Sequence, residues 1–307
     1  MSASGNKQEG RMSTVLVVGA TGLVGSEICR QLTAAGRPVR ALVRTTSDQA
    51  KVDNLKSLGV ETVQGNLCDP ASLQAACRGV DAVISTASSM PFAYQPGVND
   101  VQCVDHDGLA NLIGAAQAAR VSHFIYTSFS GRIELDCPLR NAKRAVERRL
   151  KESGLVYTIL RPSYFAEVWL SPAVGFDFAN AKATIYGSGQ NPISWISVQD
   201  VARFAVASLD NPAARNATIE MGGPQALSPL QVVSIFEQVG RRKYEVQHVP
   251  EEALQAQQAG ATDPMQQSFA ALTRAYAQGD PIEMQAKFKT FAVQPTTVEE
   301  YARRVLA

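Results

Sequence analysis

The chain lacks the features that would set it apart from ordinary globular proteins. Over 307 residues its formal net charge is +1, so no basic excess marks it for nucleic acid or for an anionic membrane. No apolar run approaches the roughly 18 residues that a membrane-spanning helix needs. The first dozen residues, MSASGNKQEGRM, are polar and lack the hydrophobic centre of an export signal. They are expected to form a flexible tail, with Met12 as an alternative start, and the chain is expected in the cytoplasm. The five cysteines (Cys29, Cys68, Cys77, Cys103, Cys137) are odd in number and never form C-x-x-C, which argues against a disulfide framework or a zinc site and for reduced thiols. The three histidines (His106, His123, His248) are scattered without ligand spacing, so no metal is expected. No segment repeats.

What is present begins at Val15, where VLVVGATGLVG runs from four apolar residues into Gly19-x-x-Gly22-x-x-Gly25 and then the amphipathic stretch from Ser26. A buried parallel strand that breaks at glycine and re-enters as a helix points several backbone N–H groups outward. With the positive end of the helix dipole they make a diphosphate site. Gly19 permits the tight turn, Gly22 the approach of backbone to pyrophosphate, and Gly25 close helix–strand packing. The spacing differs from the standard G-x-G-x-x-G, but strand, helix and position agree on a dinucleotide.

Residues 13–161 alternate β-rich runs (14–18, 39–43, 61–64, 82–85, 124–126, 157–160) with helical patterns (26–35, 71–77, 101–119, 141–151). That rhythm predicts an α/β fold, a doubly wound parallel sheet with helices on both faces. After Arg161-Pro162 the rhythm changes. Residues 162–307 read as a smaller, irregular mixed α/β region, with a short strand at 184–186 and helices at 198–209 and 229–239. A strand pair at 218–221 and 244–249 either extends the sheet or forms a cap. Ser228-Pro229-Leu230-Gln231 and Thr297-x-x-Glu300 are helix-capping boxes. Because ligands of such sheets sit at the carboxyl ends of the strands, this region is expected to cover the nicotinamide end.

The second strand discriminates between dinucleotides. NAD users place an acid about twenty residues past the glycines to accept from the adenosine ribose. Here the segment reads Arg40-Ala41-Leu42-Val43-Arg44-Thr45-Thr46-Ser47, with no acid before Asp48. Arg44 offers a planar fork suited to phosphate, and three hydroxyls follow it. The pattern points to NADP(H).

Beyond the glycine motif, LVR at the second strand, QGNLCDP at the third, DAVISTAS at the fourth and VSHFIYTS at the fifth extend the pattern. With NAKRAVERRLKESGLVYTILRPSYFAE, WISVQDVARFAVASL and TVEEYARRVL, they resemble the NmrA-like, isoflavone-reductase-like branch of atypical short-chain dehydrogenases over almost the whole chain. The resemblance implies a Rossmann domain, NADP(H) and a small C-terminal cap. It places Gly19, Thr21, Gly22, Leu23 and Val24 at the pyrophosphate, Arg44 at the 2′-phosphate, and Asn66 and Leu67 by adenine. Thr86, Ala87 and Ser88 fall along the ribose, and Lys143 with the Pro162–Phe165 turn at the nicotinamide.

One departure is central. Short-chain dehydrogenases use Tyr-x-x-x-Lys, in which the lysine lowers the tyrosine pKa for proton transfer. Four residues before Lys143 stands Leu139, and no tyrosine lies between Tyr126 and Tyr157. Phe129, flanked by Ser128 and Ser130, stands about where the usual serine would. Lys143 therefore holds the nicotinamide ribose, passes a proton to substrate, or is a surface lysine paired with Glu147 one turn on. Tyr164 is a weaker candidate acid, more simply read as aromatic packing. Asp105 reads as the cap of the helix after it, with His106 beside it, His123 as a strand-edge residue, and Cys137 as a thiol without a partner.

Two readings follow. The first is an NADPH-dependent reductase of a small apolar carbonyl, quinone, imine or activated double bond, supported by Lys143 and by an apolar cap with Phe165, Trp169, Phe176 and Trp195. The second is a non-catalytic NADP(H)-binding sensor or assembly protein, favoured by Leu139 and by the likeness of GNLCDP and SVQDVA to photosynthetic-assembly proteins. The resemblance allows monomer or dimer.

Overall fold

The computed structural model of the chain describes residues 13–90 and 94–307; the N-terminal dozen read above as a tail lie outside the described residues. Numbered in chain order, β1 (Val15–Val18), β2 (Val39–Val43), β3 (Glu61–Gln64), β4 (Ala82–Ser85), β5 (His123–Thr127) and β6 (Tyr157–Pro162) form one sheet. After the short strands β7 (Phe176–Asp177) and β8 (Lys182–Tyr186), β9 (Ala217–Met221) joins it beside β6. Among the described residues all seven strands of this sheet run parallel, in the order β3-β2-β1-β4-β5-β6-β9. Val15 to Val18 pair with Val39 to Leu42 on one side and with Ala82 to Ser85 on the other. The chain order reverses at that central strand, which opens a crevice at its carboxyl end.

Both faces of β1 are covered, which is why it reads as an unbroken apolar run instead of alternating with polar residues. Val15 and Val17 enter one core with Ile28 and Leu32 of α1 (Leu23–Ala34). Leu16 and Val18 enter another with Leu73 of α3 (Pro70–Cys77) and Leu112 of α4 (Leu109–Ala118). Between α1 and α3 lies α2 (Gln49–Ser57), which the sequence reading missed. It buries only Val52 and Leu55, so its apolar periodicity is faint, and it starts because Asp48 accepts from the Lys51 N–H.

The helix expected over 101–119 is two structures. Val101–Gly108 is a π-helical turn that passes into α4. Its cap is Asp100, which accepts from the Cys103 N–H at 2.8 Å, and not Asp105 as the sequence suggested. Asp105 is fully buried. His123 is likewise no edge residue: β5 is interior, and the His123 Nε2 lies 2.8 Å from the Thr158 Oγ1. Burial, with the charge of Arg215, pushes its pKa down to about 4, so it stays neutral near pH 7.

The helix expected at 141–151 is α5 (Pro138–Glu152), which opens with proline at its first turn. After β6 come α6 (Ala166–Trp169), β7, β8, α7 (Val198–Ser208), β9, α8 (Pro229–Gly240), β10 (Glu245–Val249) and α9 (Glu251–Gly260). They are followed by α10 (Pro264–Gln278), α11 (Gln285–Phe291) and α12 (Val298–Leu306). Of the strand pair left open by the sequence, β9 extends the main sheet, while β10 pairs with β8 in a separate sheet β10-β8-β7. Both capping boxes form, at Ser228/Gln231 and Thr297/Glu300, and the α8 and α12 helices they open pack together. The α9–α10 hairpin lies against α5. No described helix is long and apolar enough to cross a membrane.

The turn from β1 to α1 is sterically tight. Gly19 sits at φ +87°, where side chains are strained. A Cβ on Gly25 would stand 2.1 Å from the Gly19 carbonyl oxygen. Gly25→Ala is therefore expected to lower stability by about 1–3 kcal/mol through overpacking. In α4, Gly114 faces open space, and Gly114→Ala should add about 0.5–1 kcal/mol. Denaturant unfolding of the two variants checks both signs.

Candidate active site

Two cavities of about 930 and 770 Å³ lie along the carboxyl edge of the sheet and share Gly22, Leu23, Thr86 and Ser88 in their walls. They form one trough, pinched where β1 turns into α1. At the pinch, α1 begins at Gly22 with no side-chain cap and no acid in its first turn, so its N-terminus is left for an anion. The glycines keep that approach clear: a Cβ on Gly19 would meet the Thr86 Oγ1 at 2.8 Å and the Ala87 nitrogen at 2.9 Å. These features fit a pyrophosphate. Gly25 lines neither cavity and acts through packing.

The 770 Å³ half holds Gly19, Thr21, Arg44, Asn66, Leu67 and Ala87. Arg44 Nη1 donates to the Asn99 Oδ1 at 2.5 Å, and the Arg44 N–H donates to the Ser47 Oγ at 3.0 Å. Lys51 and Asn54 of α2 share this wall, and the one acid on it, Asp48, caps α2. Two cations and several hydroxyls in one wall suit a phosphate monoester, such as the 2′-phosphate expected there. Neither Asn99 nor Lys51 was singled out in the sequence, because nothing in their spacing marks them.

The 930 Å³ half takes Val24, Thr127, Phe129, Leu139, Lys143 and Phe165 into its walls. Val168 and Trp169 come from α6, and Met265, Phe269 and Leu272 from α10. Trp169 stacks within 4° of parallel on Phe269, their ring centres 6.2 Å apart, so the far wall is flat and aromatic. The Thr127 Oγ1 is buried behind this wall with no partner among the described residues.

Lys143 is not a surface residue. It is buried, its Nζ 3.1 Å from the Asp105 Oδ1, and 5.5 Å from the centre of the Tyr126 ring. Asp105 is held in turn on its other oxygen, by the Ser89 N–H at 2.9 Å and the Ser89 hydroxyl at 2.6 Å. Glu147, the alternative partner one turn along, points elsewhere. It accepts from Ser128 Oγ and Arg144 Nη1, both at 2.6 Å, and from Arg161, which also reaches Glu220. Burial opposes the charge on Glu147, but the bonds from Arg161 and Ser128 and the charge of Arg144 hold its carboxyl below the ordinary range.

That network fixes the loop after β5. Arg144 also donates to the Phe129 and Ser130 carbonyls, its guanidinium carbon 5.0 Å from the centre of the Phe129 ring. Ser130 Oγ donates to Asp280 at 2.8 Å. The hydroxyls of both serines beside Phe129 are thus already engaged, and of the two only Ser128 is among the described residues that line the cavity.

The remaining candidates fall outside it. Tyr164 lines neither cavity; its hydroxyl donates to the Leu272 carbonyl at 3.0 Å, and burial raises its pKa well above the usual value. It packs edge-on against Trp169, which corrects its placement as an acid. Pro162 is buried in β6 with its carbonyl accepting from Ser130 N, so of the Pro162–Phe165 turn only Phe165 reaches the trough. Phe176 and Trp195, expected in the cap wall, are buried in the core beneath it. The Asp105-His106-Asp107 trio does not converge: His106 lies 2.7 Å from Asp107 on the surface while Asp105 points inward.

A model of the NmrA-like family matches residues 11–302, and the chain belongs to that family. Its relatives include the "NAD(P)H azoreductase" of Xenophilus azovorans, 34% identical over 271 residues, covering 87% of each chain. The "Photosystem II assembly factor Ycf39" of Trieres chinensis is 30% identical over 239 residues, covering 77% of this chain and 72% of that one. Among solved structures, the NADPH complex of the Escherichia coli NADPH-dependent quinone oxidoreductase QOR2 superposes with a TM-score of 0.76. At 22% identity it covers 95% of this chain and 100% of its own, which shows the fold.

Glu147→Gln leaves Arg144 and Arg161 facing a neutral partner and is expected to cost about 3–5 kcal/mol of stability at pH 7. A lowered folded-state pKa stabilises above the unfolded value and is lost as pH falls through the folded one. The gap between parent and variant should therefore be full above the ordinary carboxylate value of 4.5 and shrink below it, as denaturant unfolding against pH would show.

Proposed function

We propose that this protein is an NADPH-dependent reductase whose acceptor is a flat, apolar carbonyl, quinone, imine or activated double bond. The observation that carries the reading is the open 930 Å³ cavity: apolar, aromatic on its far wall, continuous with the anion-binding helix end, and holding Lys143 in its lining. Bound NADPH supplies the hydride. The chain's own part is to seat the cofactor along the trough, hold the acceptor flat between Phe129 and Trp169, and exclude water. The azoreductase and quinone oxidoreductase relatives support this chemistry.

Lys143 is the polar group that answers for the missing tyrosine. Leu139 lines the cavity where that tyrosine would stand and brings no hydroxyl, and no tyrosine is among the lining residues described. Asp105 holds the ammonium of Lys143 in place, from where it donates a proton to the reduced acceptor. Acceptors that need little acid assistance, such as quinones, suit this arrangement best.

A second reading, a binding protein without turnover, draws on Leu139 and on the assembly-factor relatives. It gives no reason for a roomy acceptor cavity beside Lys143. Deuteride from labelled NADPH is expected to reach at least one member of a panel of quinones, enones, imines and aromatic carbonyls, stereospecifically. No transfer across the panel, with a large difference between NADP⁺ and NADPH affinity, would favour the second reading.

Two variants test the assignments. Arg44→Asp should weaken NADPH binding by roughly 1.5–3 kcal/mol, the value of a charge-assisted hydrogen bond, and narrow the preference over NADH; calorimetry with both cofactors measures it. Lys143→Met strands the buried Asp105, so it is best compared in the Lys143→Met/Asp105→Asn double variant, which removes both charges. Turnover there should fall about 10²–10⁴-fold while the NADPH dissociation constant changes little. A parallel rise in that constant would make the lysine a ribose ligand instead.

A further inference from the structure

Three of the cysteines, Cys29, Cys77 and Cys137, are buried, and burial raises the pKa of each. The other two meet. Cys68 is exposed on the turn after β3, directly after the adenine-side residues Asn66 and Leu67. Cys103 is partly exposed in the π-helical turn, next to Val104, which lines the same cavity. The Cys68 Sγ donates to the Cys103 carbonyl at 3.2 Å, which brings the Cys68 sulfur against the residue that carries the second thiol. The elements that carry them are tightly joined: Asn111 Nδ2 donates to the Leu67 carbonyl, and a Cβ on Gly108 would meet the Leu67 Cβ at 2.6 Å.

We propose that Cys68 and Cys103 form a reversible redox pair, oxidised by hydroperoxides to a disulfide that opposes NADPH binding. The exposed Cys68 thiolate attacks the peroxide oxygen, giving a sulfenic acid and releasing water or an alcohol. The Cys103 sulfur then attacks the Cys68 sulfur, the S–S bond forms, and a second water leaves with the sulfenic oxygen. Two thiols lose two electrons and two protons, and the peroxide takes them. Burial, with the charge of Asp100 and the neighbouring thiol, pushes the Cys103 pKa up to about 11, which disfavours it as the first nucleophile; it gives up its proton as it attacks the sulfenic sulfur.

The bond would lock the Leu67 turn against the Val104 turn, both in the wall of the adenine cavity, and hold that wall in one arrangement, so disulfide and adenine compete. Competition is reciprocal: whatever factor the disulfide costs NADPH, bound NADPH costs the disulfide. This coupling rests on the reading that the trough takes NADPH, whereas the bond itself does not.

Full-length protein treated with stoichiometric hydrogen peroxide should lose two mass units and yield a dithiothreitol-sensitive peptide joining Cys68 to Cys103. In Cys103→Ser, Cys68 should instead accumulate as a dimedone-trapped sulfenic acid. The oxidised protein should bind NADPH at least about fivefold more weakly, and saturating NADPH should suppress the equilibrium extent of disulfide in a thiol–disulfide buffer by the same factor. Cys68 running on to sulfinic acid without a cross-linked peptide would overturn the proposal, as would a cross-link that leaves NADPH affinity unchanged. Failure of the reduced protein to bind NADPH would overturn the cofactor reading and the coupling with it, while the peptide map would still decide the bond.

Discussion

The close approach of α1 to the end of β1 is the constraint on which the site depends. With Gly25 against the Gly19 carbonyl there is no room for a side chain, and Gly19 itself turns the chain through a left-handed conformation. The helix can then begin within one turn of the sheet edge, uncapped and free of acids, at the point where strand order reverses. The two cavities meet at that point, so a single ligand with a charged centre and two flat ends is the shape the trough accommodates. The half that holds Arg44 and Lys51 is cationic; the other is mostly apolar, its polar lining residues being Thr86, Ser88, Thr127, Ser128, Lys143 and two glutamines of the α9–α10 hairpin.

Behind that trough the protein buries charges in pairs. Lys143 pairs with Asp105 and lies over the Tyr126 ring, and Glu147 is shared between Arg144 and Arg161. Such pairs add little net stability over apolar packing, but breaking one strands a charge, so they hold geometry firmly. One pair fixes the lysine that faces the cavity. The other fixes the loop that carries Phe129, through Arg144 on its carbonyls, and engages the Ser128 hydroxyl. The π-helical turn contributes to both ends of the trough, since Val104 lines the adenine cavity while Asp105 anchors Lys143.

What could be read from the sequence was whatever the backbone or a missing charge demanded locally. The steric roles of Gly19 and Gly25 could be read because only glycine meets their conditions, and the absence of an acid between Arg40 and Asp48 could be read directly. The parallel sheet followed from the strand–helix rhythm, and both capping boxes from their spacing. Contacts between distant segments were not legible. Asp105 looked like a helix cap because it stands before an apolar helical run; its pairing with Lys143, 38 positions later, exists only in three dimensions. Tyr164 stood at the right strand end, yet its hydroxyl is taken by a carbonyl of α10. The walls supplied by α9 and α10 need only be apolar, so Met265 and Phe269 carry no signal beyond that of any amphipathic helix.

Everything above turns on one trough seating a dinucleotide with its reactive ring in the aromatic cavity beside Lys143. A crystal structure with NADP⁺ tests it directly. The expected arrangement has pyrophosphate at the N-terminus of α1, the 2′-phosphate on Arg44, and the nicotinamide face open to Phe129 and Trp169 with Lys143 in hydrogen-bond reach of the ring's ribose or of the space above it. A nicotinamide directed away from that cavity, or a cavity closed around the bound cofactor by the α9–α10 hairpin with no room for an acceptor, would contradict it.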